Sequence, residues 1–135
     1  MRVRYADTDA DQVCYYGNYL TYFEVARVEW LRAMGYPIGR ILEKGVILPV
    51  VEARIRYLRP ARVDDLLTVK AVLVSVGPAS FACDYEITRE DGLLLVTGWT
   101  RLAVCERDSA RACAMPAWMK TLFAELPRSV EEQHG

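Results

Sequence analysis

NYLTYFEVARVEWLRAMG, residues 18–35, is the stretch that decides the fold. Asn18 is a favoured residue type for a helix N-cap, and Gly35 stands where a helix commonly ends in the left-handed conformation. Between them Leu20, Phe23, Ala26, Arg27, Trp30, Leu31 and Met34 recur at helical spacing, while Tyr19, Tyr22, Val25 and Val28 widen the apolar surface. Sixteen helical residues span roughly 24 Å. So broad an apolar face is more than a flat surface can cover, which predicts a curved partner wrapped around the helix. Glu24 and Arg27 read as an i,i+3 pair on its surface.

Working outward, the chain opens MRVRY, a strand-like start, and beyond residue 48 one strand succeeds another. In VVEARIRYL, Val51, Ala53, Ile55 and Tyr57 alternate with Glu52, Arg54 and Arg56, the period of a half-buried strand that Pro60 stops. LLTVKAVLVSV, residues 66–76, is more apolar throughout and reads as a central strand. Phe81, Cys83, Tyr85 and Ile87 alternate with Ala82, Asp84, Glu86 and Thr88, and Asp91-Gly92 is a hairpin signal leading into LLLVTGWTRLAVCER. Pro116 suits the first turn of a last short helix, AWMKTLFAEL, which Pro127 ends. Short connections make antiparallel neighbours. The fold class predicted is α+β, with one long helix cupped by a curved antiparallel sheet of about five strands.

Length and composition bound the function. At 135 residues, residues 1–127 form a single domain, and the tail RSVEEQHG, residues 128–135, reads as frayed. The balance of 17 basic against 18 acidic residues provides no global field toward nucleic acid or an anionic membrane, so neither is an expected partner. There is no signal-peptide run and no apolar stretch approaching a membrane span, which predicts a cytoplasmic protein without membrane insertion. Cys14, Cys83, Cys105 and Cys113 contain no C-x-x-C pair and read as reduced core thiols. The single histidine, His134, lies in the tail, so a Ser/His/Asp or Cys/His system has no credible base.

Immediately before the helix, YADTDADQVCYYGNY places Asp7, Asp9 and Asp11 within five residues. Such a run could hold a metal, do chemistry or sit in water. As an EF-hand loop starting at Asp7 it should have glycine at the sixth position and glutamate at the twelfth, but those positions are Gln12 and Asn18, so no metal site is expected. Carboxylates beside a helix start are commonly structural. Asp11 takes that reading, and Asp7 reads as a hydrogen-bond anchor for the turn.

Asp9 is set apart by what surrounds it. The run DTDADQVCYYGNYLTYFEVARVEWLRAMG, residues 7–35, resembles the signature of the hot-dog-fold acyl-CoA thioesterases of the 4-hydroxybenzoyl-CoA thioesterase family, YbgC-like branch, and the similarity continues through PVVEARIRYLRPARVDDLLTV, residues 49–69. The resemblance implies a hot-dog fold, a homodimer or homotetramer with sites at the subunit boundary, and hydrolysis of an acyl-CoA to free acid and coenzyme A without metal or bound cofactor. It puts the catalytic carboxylate, nucleophile or general base, at Asp9 and the thioester carbonyl against the backbone N–H of Tyr16. Free N–H groups at a helix start suit an oxyanion. Gln12, Val13, Tyr15, Asn18 and Arg59 are the implied substrate contacts. The chain departs from the family in having Gln12 for the usual glycine, which implies a narrower acyl pocket, and Tyr16 where many members have histidine. Arg54, Arg56, Arg59 and Arg62 could meet phosphates, although as members of an alternating strand and its end they fit a solvated face. A non-catalytic acyl-binding module of the same fold, or a thioesterase acting on acyl carrier protein, is the alternative function.

Overall fold

A computed structural model describes residues 1–126; the expected tail at residues 128–135, with His134, and the helix stop at Pro127 lie outside the described residues. The elements are a 3₁₀ turn at Tyr5–Asp7, α1 (Asn18–Ala33), α2 (Ile38–Glu43), β1 (Val46–Ile47), β2 (Val50–Tyr57), β3 (Leu67–Val76), β4 (Ser80–Arg89), β5 (Leu94–Ala103), β6 (Cys105–Glu106) and α3 (Ala117–Ala124). β2, β5, β4 and β3 form one antiparallel sheet in that order, and β1 pairs with β6 beside it. Each ladder of the main sheet carries a register shift, between Val50 and Glu52, Leu73 and Ser75, and Ile87 and Thr88. Bulges of this kind bend a strand and increase its twist.

The long helix ends as its sequence predicts. Gly35 is left-handed at φ 91°, and Tyr36 N–H donates to Leu31 O and Gly35 N–H to Arg32 O, both at 3.0 Å, which satisfies carbonyls the last turn would otherwise leave bare. Its start differs. Gly17 is the cap residue and makes no side-chain cap, while Asn18 is already helical and turns its Nδ2 to Asp7 O at 2.7 Å. The N-cap role expected of Asn18 is therefore replaced by a tie to the preceding loop.

Phe81, Cys83, Tyr85 and Ile87 of β4 are buried on the helix side, as the alternation requires. In the same register Tyr85 lies opposite Gly98 of β5, and Gly98 opposite Ile55 of β2. The Phe23 ring of α1 stacks on Tyr85 at 4.4 Å between centroids and rests over Gly98, where a Cβ would overlap Cε2 and Cζ of that ring.

Three expectations about the strands are corrected. MRVRY is not a strand: Arg2 forms one bridge with Leu66, after which the chain turns into the 3₁₀ turn, so the sheet has four full strands and a rudimentary fifth contact at the edge. β3 is an edge strand rather than a central one; its mixed apolar character reflects α1 packing along it. β2 does not show the half-buried alternation expected: only Ile55 is half-buried and the rest of the strand is exposed within the protomer, because α1 packs mainly along β3. The Glu24–Arg27 surface pair is also absent: Arg27 is 8% exposed and turns inward, donating from Nη1 to Tyr85 Oη at 2.9 Å.

All four cysteines are free, three of them buried and Cys113 half-buried. Among the described residues no helix is long and apolar enough to cross a membrane. Because the helix approaches the sheet at Gly98, Gly98→Ala is expected to destabilise the fold by about 1–3 kcal/mol, the usual cost of overpacking a core. Urea unfolding of wild type and variant measures the difference, and equal midpoints would contradict the close approach.

Candidate active site

The aspartate-rich run forms a tight hairpin. Thr8 bridges Cys14, Asp9 N–H donates to Val13 O at 3.0 Å, and Tyr15 N–H donates to Asp7 O at 2.7 Å. Gln12 N–H closes the turn on Asp9 O at 2.9 Å, with Gln12 at φ 64°. A left-handed residue at this point explains why glycine is the residue the resemblance calls for. The Gln12 side chain is exposed and is not among the residues that line the cleft beside Tyr16 in the protomer.

The three carboxylates part company. Asp7 is buried and accepts from Arg4 N–H at 3.0 Å and from Arg4 Nη2 at 2.9 Å, with Tyr22 Oη donating to it at 2.9 Å. The Arg4 guanidinium holds its carboxyl below the ordinary value against the opposing effect of burial, with the Arg4 N–H and Tyr22 hydroxyl adding to the lowering. Asp7 is thus the anchor of the turn. Asp9 is exposed at the hairpin tip, where Oδ1 accepts Asp11 N–H at 2.9 Å. Among the described residues no group of three or more Asp, Glu, His or Cys residues is arranged to hold a metal ion.

The hairpin is clamped to the chain leaving β2. Val13 bridges Arg62, Cys14 N–H donates to Ala61 O at 2.7 Å, and Ala61 N–H donates to Tyr19 Oη at 3.2 Å. Between these pieces lies a cleft of about 230 Å³ lined by Cys14, Tyr16, Tyr19, Tyr57, Leu58, Arg59 and Pro60. Aromatic contacts run through it, with Tyr16 edge-on to Tyr57 at 6.3 Å and Tyr19 at 5.6 Å from Tyr57. Burial pushes the Tyr19 phenol up to about 12 and raises the Cys14 thiol, so both stay neutral at physiological pH. The backbone N–H of Tyr16 has no hydrogen-bond partner among the described residues.

Of the residues predicted from sequence, Tyr16 and Arg59 line this cleft. Asp9 and Val13 stand in the adjoining hairpin. Tyr15 packs at 4.5 Å on Tyr16 and covers Gly17, where a Cβ would meet its ring at 2.6 Å. Asn18 serves the loop carbonyl described above. Of the other arginines, Arg54 lies over Trp99 at 4.3 Å and Arg56 and Arg62 are exposed. Cys14, Tyr19, Tyr57, Leu58 and Pro60 were not legible as site residues, since nothing local in the sequence says that residue 14 pairs with residue 61.

Comparison with known proteins places this geometry in a family. Residues 11–96 match the model of the Thioesterase superfamily, a match that begins two residues after Asp9. The chain is 32% identical over 127 residues to the acyl-CoA thioesterase YbgC of Haemophilus influenzae, covering 93% of each. The crystal structure of protein TT1821 from Thermus thermophilus superposes with a TM-score of 0.88 at 32% identity, covering 94% of this chain and 96% of that one. The DHNA-CoA thioesterase from Staphylococcus aureus superposes at 0.86 with 29% identity, covering 93% of this chain and 86% of that one. The chain therefore belongs to the thioesterase superfamily, in the YbgC-like branch of hot-dog-fold acyl-CoA thioesterases.

Asp7 provides a test of the anchor. Its lowered folded value means that its contribution is complete above the ordinary carboxylate range near about 4 and is lost as pH falls through the lowered value. Asp7→Asn is expected to cost about 1–3 kcal/mol at neutral pH, with the gap to wild type closing in acid. Urea unfolding across that range checks it, and a gap independent of pH would contradict the assignment.

Proposed function

We propose that the protein hydrolyses acyl-CoA thioesters to a carboxylic acid and coenzyme A, with Asp9 as the catalytic carboxylate and Tyr16 N–H as the donor to the thioester oxygen. The observation that carries this reading is the Tyr16 N–H, unpaired among the described residues, bordering a cleft at the start of α1 next to a hairpin that presents a carboxylate. A fixed N–H costs no reorganisation when charge develops on the carbonyl oxygen, which is why such donors weigh heavily in acyl transfer. The named activities of the relatives support the substrate class.

In the direct route an Asp9 carboxylate oxygen bonds to the acyl carbon, the oxyanion forms on Tyr16 N–H, and its collapse expels the coenzyme A thiolate. The resulting mixed anhydride is opened by water. In the base route Asp9 takes a proton from the attacking water. Neither route asks for a cofactor. Direct attack is the favoured route, because no second base among the described residues lines the cleft to assist a water. Arg59, at the cleft wall, is the candidate contact for the phosphates of coenzyme A.

Asp9→Asn keeps the shape of the side chain and its capacity to accept the Asp11 N–H, so the fold is expected to persist while kcat falls at least about a hundredfold. Asp11→Asn is expected to change turnover far less. An acyl-CoA panel followed by released thiol reads both, and near-wild-type turnover in Asp9→Asn would sink the assignment. In single-turnover reactions in isotopically labelled water, label appearing in Asp9 would establish direct attack.

The functional unit is proposed to be a homodimer or homotetramer. Supporting this, β2 is an edge strand of the main sheet with Val51 52% and Tyr57 50% exposed, a long strand edge of the kind that proteins cover. Sedimentation is expected to give at least twice the chain mass of 15.3 kDa. An active monomer would refute the proposal.

A further inference from the structure

One wall of the Tyr16 cleft is a strap of chain, residues 57–61, that leaves β2 at Tyr57 and ends at the buried Ala61. Its backbone is held at few points. Leu58 N–H and Arg59 N–H both donate to Leu95 O, at 2.9 and 3.0 Å, and Pro60 has no N–H to give. Ala61, 0% exposed, donates its N–H to a side chain, Tyr19 Oη at 3.2 Å. The same tyrosine meets the other end of the strap through its ring, 5.6 Å from that of Tyr57. Tyr19 is therefore a seat under the strap, with its ring at one end and its hydroxyl at the other.

Between those ends stands Arg59, exposed, bordering the cleft and without an ion pair among the described residues. A phenylalanine at position 19 would fill the same space and keep the ring contact, so packing alone does not call for a hydroxyl there. The hydroxyl adds an acceptor for one buried N–H, two residues from Arg59. A buried donor left without a partner is costly, so this bond holds the strap to one path.

We propose that Tyr19 is a positioning residue for the coenzyme A end of the substrate: through Ala61 its hydroxyl sets the strap so that Arg59 meets the nucleotide phosphates, and the protein thereby favours coenzyme A thioesters over thioesters that lack the nucleotide. The inference rests on the reading of Arg59 as the phosphate contact. Tyr19 acts on binding and orientation, not on the reacting atoms.

The test compares two substrates, the acyl-CoA turned over fastest in the panel above and the N-acetylcysteamine thioester of the same acyl group. In Tyr19→Phe the ratio of their kcat/KM values is expected to fall at least about tenfold, chiefly through KM for the acyl-CoA. A merely structural tyrosine would lower both substrates together and leave the ratio alone. In an Arg59→Ala background, adding Tyr19→Phe is expected to lower the ratio by less than about twofold further, because both changes act on one contact. A second measurement uses the wild-type chain and so decides the matter even if Tyr19→Phe does not fold. Since coupling is reciprocal, saturating coenzyme A is expected to slow hydrogen exchange of the Ala61 amide at least about tenfold more than that of the β4 amides, and pantetheine, which lacks the nucleotide, is expected not to. An unchanged ratio in folded Tyr19→Phe, additive effects with Arg59→Ala, or Ala61 exchange indifferent to coenzyme A or slowed equally by pantetheine would each overturn the proposal. If the wild type cleaved neither thioester, the catalytic reading of Asp9 would fall, and the exchange of Ala61 under coenzyme A would still decide this one.

Discussion

The contact on which the rest of the structure depends is the seat of the Phe23 ring over Gly98. A helix normally stands off a sheet by the thickness of two side-chain layers; here one of the layers is missing at a single point, and the ring drops into the gap to stack on Tyr85. Tyr85 then has its hydroxyl beside Thr100 and within reach of Arg27, one turn further along the helix from Phe23. Helix position and rotation are thereby fixed together. Because Tyr19 lies in the first turn of the same helix and Tyr16 in the turn just before it, the cleft inherits its geometry from a contact in the core.

The second organising feature is the asymmetry of coverage. α1 lies over the β3 side, so the inner face of β4 is buried and that of β3 half-buried or better, while β2 presents apolar side chains to solvent in the protomer. Asp7 holds the opposite boundary. It gathers the Arg4 turn and Tyr22 on its carboxylate, while its carbonyl takes Tyr15 and Asn18. A buried carboxylate with this many donors is stable as an anion and poor as a base, which separates its role from that of its neighbour two residues on.

Much of this was legible in the sequence because it is local. Gly35 marked the helix end through a conformation that few other residues adopt, and the alternation of Phe81, Cys83, Tyr85 and Ile87 fixed which face of β4 is buried. Alternation does not say which strands are neighbours, so the edge position of β3 was hidden. Charge misled in a different way: Arg27 sits on the apolar stripe by spacing, yet an arginine three residues after a glutamate reads as a surface pair until Tyr85 is seen beneath it. Asn18 was noticed for the wrong atom, since its amide nitrogen reaches back to a carbonyl, and the left-handed backbone of Gln12 was not legible at all.

The strand order has a kinetic side. β3, β4 and β5 succeed one another through short turns and pair with their sequence neighbours, whereas β2 pairs with β5 across the whole intervening meander, Tyr57 with Val96 and Val50 with Leu102. Closing so long a loop costs entropy before any contact rewards it, and long-range pairings of this kind slow folding. The far end of β2 carries Tyr57 and leads into Leu58, Arg59 and Pro60, one wall of the cleft. The meander can form with its ends still apart, but this wall of the cleft is in place only after that loop has closed, so completion of the cleft waits on a long-range strand pairing.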